Sequence, residues 1–108
     1  MTRGSIVWVN LGDASPPEFG KARPGLVLSN TEANLSLSSV VILPISARPG
    51  VIWPLRLALP RISGMKPGFL VLPGIRQVSK ARLHDEMGVV EDEFLTEVEQ
   101  ALNAYLGE

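Results

Sequence analysis

Apolar and polar positions alternate along most of this chain, and the period changes once, near the C-terminus. Ile6-Val7-Trp8-Val9 is a short β-branched and aromatic run that predicts a strand. Residues 12–22 hold Gly12, Pro16, Pro17 and Gly20 and read as a loop long enough to be functional or mobile. Gly25–Ser29 predicts a second strand, and Thr31–Leu35 one helical turn. Ser39–Ser46 predicts a third strand, in which Pro44 implies an edge position or a bulge. In Val51–Leu59, Leu55, Leu57 and Leu59 alternate with Arg56 and Ala58, which predicts a strand with one buried face. Phe69–Leu72 is a further strand, broken by Pro73-Gly74 and continued by Ile75–Val78. Ser79–Leu83 reads as a helical turn and Met87–Val90 as a last short strand.

Then the pattern becomes helical. Phe94, Leu95, Val98, Ala101, Leu102, Tyr105 and Leu106 form one apolar stripe. Glu91, Asp92 and Glu93 stand in the first turn, where the helix dipole favours anions, and Gly107 suits a helix stop. Five to seven short strands followed by one helix predict a mainly β fold with a C-terminal helix. The expected architecture is a small, curved or barrel-like antiparallel sheet packed by that helix.

With 108 residues, 45% of them hydrophobic and 19% charged, the chain is expected to form one domain with a real core. Such a small domain gains from oligomerisation, which covers its strand edges. The chain has no cysteine, so disulfides and thiolate-held metals are excluded, and a reducing cytoplasm suits it. No apolar run reaches membrane-spanning length, and the N-terminus lacks the pattern of a signal peptide. The net charge of −1 conceals a polar distribution. Residues 1–84 carry all ten basic residues against Asp13, Glu18 and Glu32, whereas residues 85–108 carry eight acids and no base. A basic body fits a polyanion such as nucleic acid.

The candidate chemistry is correspondingly narrow. His84 is the one histidine and lies in a polar, exposed-looking stretch, so neither a metal cluster nor a Ser-His-Asp triad is supported. Nucleotide-binding glycine motifs are absent. What remains is arginine and hydroxyl chemistry. Arg23 follows the first loop and is fixed by Pro24; Ser46 ends the third strand; Arg48, Arg76 and Arg82 stand near strand ends. Guanidinium forks hold the non-bridging oxygens of a phosphodiester, and a hydroxyl adds one more hydrogen bond. Phe19 is the aromatic expected to be exposed, because it lies in the loop, where Glu18 and Lys21 are placed to influence base preference.

Four segments together resemble one known family. They are Arg3-Gly4-Ser5-Ile6-Val7-Trp8-Val9-Asn10-Leu11, Glu18…Gly20…Arg23-Pro24…Val27-Leu28-Ser29-Asn30, Leu43-Pro44-Ile45-Ser46, and Ile75-Arg76…Val78-Ser79-Lys80-Ala81-Arg82-Leu83. In that order they look like the MazF/PemK toxin endoribonucleases of type II toxin–antitoxin systems, over nearly the whole chain. The resemblance implies an SH3-like β-barrel of the MazF/PemK/CcdB kind, a homodimer in the cytoplasm, cleavage of single-stranded RNA without a cofactor, and a cognate antitoxin in the RNA groove. It implies catalytic roles for Arg23 and Ser46; Asn10, Glu18, Phe19, Lys21, Arg48 and Arg76 are the candidate RNA-binding residues. Two positions depart from the family pattern. The hydroxyl, often Thr, is Ser46 here, and an acidic residue followed by Gln is replaced by Pro73-Gly74. Two other functions stay open on this departure: a toxin of the same fold that binds a protein such as DNA gyrase, and an SH3-like binding module without catalysis.

Overall fold

The computed structural model describes residues 1–13 and 15–108; Ala14, in the loop expected over residues 12–22, lies outside the described residues. Seven strands and two helices follow one another as β1 (Ser5–Asn10), β2 (Ala22–Val27), α1 (Thr31–Ser36), β3 (Ser39–Ser46), β4 (Arg56–Ala58), β5 (Phe69–Val71), β6 (Arg76–Ser79), β7 (Leu83–Val89) and α2 (Asp92–Leu106). Short 3₁₀ turns at Leu72–Gly74 and Lys80–Arg82 join the strands around β6. The strands form one antiparallel, barrel-like sheet in the order β4-β5-β3-β2-β1-β7, with β6 also paired to β3.

Alternation along the strands divides the core in two. Ile6, Leu26, Leu43 and Ile45 point to one side and pack with Leu57, Leu70 and Leu72 against Phe94, Leu95, Val98 and Ala101 of α2. Val7, Val9, Val27, Val40 and Ile42 point to the other side and pack with Leu11 and Val78. The expected helical stripe attaches α2 to the sheet from Phe94 to Leu102, while Tyr105 and Leu106 at its end are exposed. Gly107 ends the helix in an ordinary extended conformation, φ −86°, so the stop uses no left-handed glycine.

The strand expected at Gly25–Ser29 starts three residues earlier and ends at Val27. Leu28 and Ser29 instead turn the chain into α1, whose first amides are capped by the Asn30 side chain. Buried Asn34 fastens this corner by donating from Nδ2 to the carbonyls of Met1 and Ser29. Pro44 is not on an edge strand. β3 is central, with β2 on one side and two successive partners on the other: β6 along Ser39–Ile42 and β5 along Ile45–Ser46. Leu28 N–H bonds the Val41 carbonyl, so two-residue alternation turns the Pro44 nitrogen toward the gap between β6 and β5. A residue without an N–H is tolerated where no ladder partner waits.

The resumption after Pro73-Gly74 is thus real, and Leu72–Gly74 is the insert between two strands on the same partner. The strand expected over Val51–Leu59 shrinks to Arg56–Ala58. Ahead of it, the Ile52 carbonyl accepts from both Leu55 and Arg56 N–H and folds the apolar run into a turn. That turn leaves Val51, Ile52 and Trp53 more than half exposed. β7 begins four residues before Met87, because β1 recruits Leu83 and Glu86 across two register shifts.

Candidate active site

The site begins with strand register. β2 and β3 pair Gly25 with Pro44, and two residues further along each strand stand Arg23 and Ser46. Arg23 is therefore not just ahead of the strand, as its sequence context suggests; it lies inside β2, opposite Val9 of β1. Arg76 opposes Ile42 on the other flank of β3. Alternation puts Arg23, Ser46 and Arg76 on the sheet face that carries the second core, away from the acidic helix α2.

Arg23 is held at three points. Ladder pairing fixes its backbone, its Nε donates to the Gly20 carbonyl at 3.2 Å, and its guanidinium carbon stands 4.6 Å from the centre of the Phe19 ring. Among the described residues no carboxylate lies within ion-pairing distance of it; Arg3 and Glu99, on the far face, form the ion pair found there. The remaining guanidinium edge is free to take an anion. Ser46 is 8% exposed, and its Oγ accepts the Arg48 backbone N–H at 3.1 Å. Its hydroxyl proton is left to donate to a ligand.

Both residues also border a cleft of about 490 Å³ with Trp8, Pro24, Ile45, Met65, Lys66 and Met87 along its walls, of which Ile45, Met65 and Met87 belong to the side of the first core. Arg23 also borders a smaller cavity of about 270 Å³ with Gly12, Asp13, Gly20 and Lys21. The loop before β5 forms one wall of the cleft, tied down by Leu59 N–H to the Gly68 carbonyl and by Ile62 against Gly88. Lys66 is an addition that the sequence pattern alone does not single out, and Trp8 is one of the few aromatics (with Phe19, Trp53 and Phe69) that could stack on a base. A lysine flanked by Gly64 and Pro67-Gly68 is a loop-tip cation, and that signal is present in the sequence. Trp8, 39% exposed, reads as core from its strand and is not.

The other candidates distribute unevenly. Lys21 sits at the base of the first loop with φ 62°, its N–H on the Gly12 carbonyl and its carbonyl on Leu11 N–H. Asn10 Oδ1 caps the Gly12 amide in the same corner. Glu18 is exposed on the loop, and the Arg48 side chain is exposed beside Ser46. Phe19 corrects the expectation of an exposed aromatic: it is half-buried against the second core, with Arg23 over one face of its ring. Among the described residues no group of three or more His, Cys, Asp or Glu side chains stands together, and His84 is exposed.

Residues 2–106 match the family model of the PemK-like, MazF-like toxin of type II toxin–antitoxin systems. The chain belongs to the PemK/MazF toxin family. Among solved structures, MazF from Deinococcus radiodurans superposes with a TM-score of 0.86 at 26% identity, over 100% of this chain and 97% of that one. The MazE–MazF complex of the same organism gives 0.81 at 26%, over 99% and 96%. An endoribonuclease from a Mycobacterial species, in complex with its cognate antitoxin, gives 0.81 at 25%, over 99% and 95%. The sheet and closing helix of this PemK/MazF chain are thus those of the MazF structures, and among the described residues no helix is long and apolar enough to cross a membrane. Within that PemK/MazF frame, Pro73 and Gly74 leave the turn beside Pro44 and Phe19 without a carboxylate of its own.

Proposed function

We propose that this chain is the endoribonuclease toxin of a type II toxin–antitoxin pair, acting on single-stranded RNA in the cytoplasm and blocked by a cognate antitoxin. The observation that carries the reading is that Arg23 and Ser46, each two residues beyond the Gly25–Pro44 pair of β2 and β3, both border one cleft, the arginine without an ion pair among the described residues and the serine with its hydroxyl proton unspent. The chemistry needs no protein nucleophile. The ribose 2′-OH attacks the adjacent phosphorus, the bond from phosphorus to the 5′-oxygen breaks, and the proton passes from the 2′-oxygen to the leaving 5′-oxygen. The products are a 2′,3′-cyclic phosphate and a 5′-OH. Arg23 holds the non-bridging oxygens as their charge grows, and Ser46 donates one hydrogen bond to the same group. Arginine keeps its proton, so charge stabilisation suits Arg23 better than general-base action. Lys21, Lys66, Arg48 and Arg76 supply further phosphate contacts, and Glu18 and Asn10 border the strand's path.

The functional unit we propose is a homodimer. Val51, Ile52 and Trp53 form a contiguous exposed apolar segment, the kind of surface a soluble protein covers. The test is cleavage of end-labelled single-stranded RNA by purified protein in EDTA. Expected are fragments ending in a cyclic phosphate, loss of cleavage in Arg23→Ala, and resistance of an RNA with a 2′-deoxy sugar at the cut. No cleavage by the wild type under any metal condition sinks the nuclease reading. The absence of an acid at Pro73-Gly74 then favours a toxin of this fold that acts by binding a protein target.

A further inference from the structure

Gly74 and Phe19 are far apart in the chain, yet they occupy one volume. A Cβ at Gly74 would stand 2.5 Å from Pro44 Cγ and 3.3 Å from Phe19 Cδ2. Pro44 and the missing side chain of Gly74 together leave the shelf on which the Phe19 ring lies. The ring is half-buried, packed on the second core beneath, and carries the Arg23 guanidinium above at 4.6 Å. A cation over an aromatic face within about 6 Å is attracted by the ring quadrupole. The Arg23 side chain makes one hydrogen bond, to the Gly20 carbonyl, and no ion pair among the described residues. The stack is therefore the second of only two contacts described for its head group.

We infer that Phe19 is a positioning residue for Arg23, and that Gly74 is the space that lets it act. This rests on the assignment of Arg23 to the scissile phosphate. An arginine in a carboxylate-rich site is aimed by ion pairs; here the turn that could supply an acid carries Pro73-Gly74, and a ring does the aiming instead. A ring is also compatible with the task in a way that a carboxylate is not. It orients the guanidinium plane without neutralising it, so the full positive charge faces the phosphate. Gly74 and Phe19 form a matched pair: a side chain at 74 meets Pro44 Cγ at 2.5 Å and crowds the ring at 3.3 Å, and loss of the ring leaves the shelf empty.

The experiment compares wild type, Phe19→Leu, Phe19→Tyr and Arg23→Lys in single-turnover RNA cleavage, and reads the Arg23 Nε–Hε resonance by NMR. Leu keeps the apolar contact with the core and removes the ring face; Tyr restores the face. Expected in Phe19→Leu is a fall of about 5- to 30-fold in the cleavage rate with little change in RNA affinity, the effect of losing a contact of cation–π strength. Phe19→Tyr recovers most of the rate. In the double variant Phe19→Leu/Arg23→Lys, the Leu substitution costs little more, because the fork it positioned is already gone. The Arg23 Hε signal is shielded by the ring in wild type and in Phe19→Tyr and moves downfield in Phe19→Leu. A Phe19→Leu rate within twofold of wild type overturns the inference, as does an equal loss whether Phe19→Leu is made in the wild type or in the Arg23→Lys variant. If the wild type cuts no RNA, the nuclease reading falls on its own. The resonance still decides the stack: an Hε shift unchanged in Phe19→Leu overturns it, and a shift lost with the ring and kept with Tyr supports it.

Discussion

Removing the Ser46 hydroxyl separates the chemical role of the site from its structural one. Ser46→Ala has two consequences of different size. The Arg48 N–H loses its acceptor at 3.1 Å, but Arg48 is exposed, so water takes over the amide. The cost lies at the low end of the about 0.5–1.5 kcal/mol of an ordinary hydrogen bond. For a chain of 108 residues, 1 kcal/mol is about 4 °C in Tm, so the melting temperature falls by about 2–4 °C. The rate suffers far more. A preorganised donor aimed at developing charge is worth about 10²–10³-fold, or about 2.7–4 kcal/mol. Single-turnover cleavage of a labelled RNA, run beside a thermal melt, reads both numbers on one preparation. Ser46→Thr keeps the donor and stays near wild type in rate. A Ser46→Ala protein cutting within threefold of wild type refutes the role given to the hydroxyl. A drop in Tm beyond 10 °C refutes the claim that the two losses are separable.

Arg23→Ala should abolish cleavage with its fold intact, and Arg23→Lys should be nearly as poor, because a point charge cannot replace a fork; circular dichroism and the cleavage assay check both. RNA affinity should fall steeply with salt, since several basic side chains release counterions on binding, and an affinity unchanged between about 50 and 200 mM salt rules out a phosphate-dominated mode. Trp53→Glu places a charge in the exposed apolar turn and should shift light-scattering mass from dimer to monomer at micromolar concentration. A wild type that is monomeric throughout removes the dimer. Asn34→Ala strands the hydroxyl of Ser29 and two carbonyls at a 1% exposed position, at a cost of about 2–3 kcal/mol, so a melt should show a loss of about 10 °C.

The strands and the closing helix were legible because their information is local. Alternation over Ile6–Val9 and the stripe from Phe94 to Leu106 each specify an element whose apolar side must find a core. What was not legible depends on partners far away. Pro44 reads as an edge signal, and only the handover from β6 to β5 explains how a central strand tolerates it. Val51–Leu59 reads as one strand on the alternation of Leu55, Leu57 and Leu59, but a turn closed on the Ile52 carbonyl takes its first half out of the sheet. In the site, Arg23 and Ser46 stand out in the sequence as residue types with the right chemistry at strand ends, and their juxtaposition is a matter of register. Phe19 misleads for the same reason: loop position suggests exposure, while its shelf is built by Pro44 and Gly74 from two other segments. Lys66 and Trp8 gain a place at the cleft only when the loop before β5 folds over it.

The double partnership of β3 divides the sheet into two independently anchored panels. β6 is registered by Ser39–Ile42 and β5 by Ile45–Ser46, and the residues between them hold no rung of either ladder. The segment from Leu72 to Ile75 therefore works as an expansion joint. A residue gained or lost there changes the slack between the panels and leaves both registers where they are, whereas the same change inside β3 would flip side chains to the wrong face. The joint opens beside Pro44, next to Phe19, and so borders the place where RNA is proposed to be cut. In a fold this small, that makes it a stretch where the length of the working surface can change without re-threading the strands that carry Arg23 and Ser46, so long as Leu72 keeps its place in the core and Gly74 its lack of a side chain.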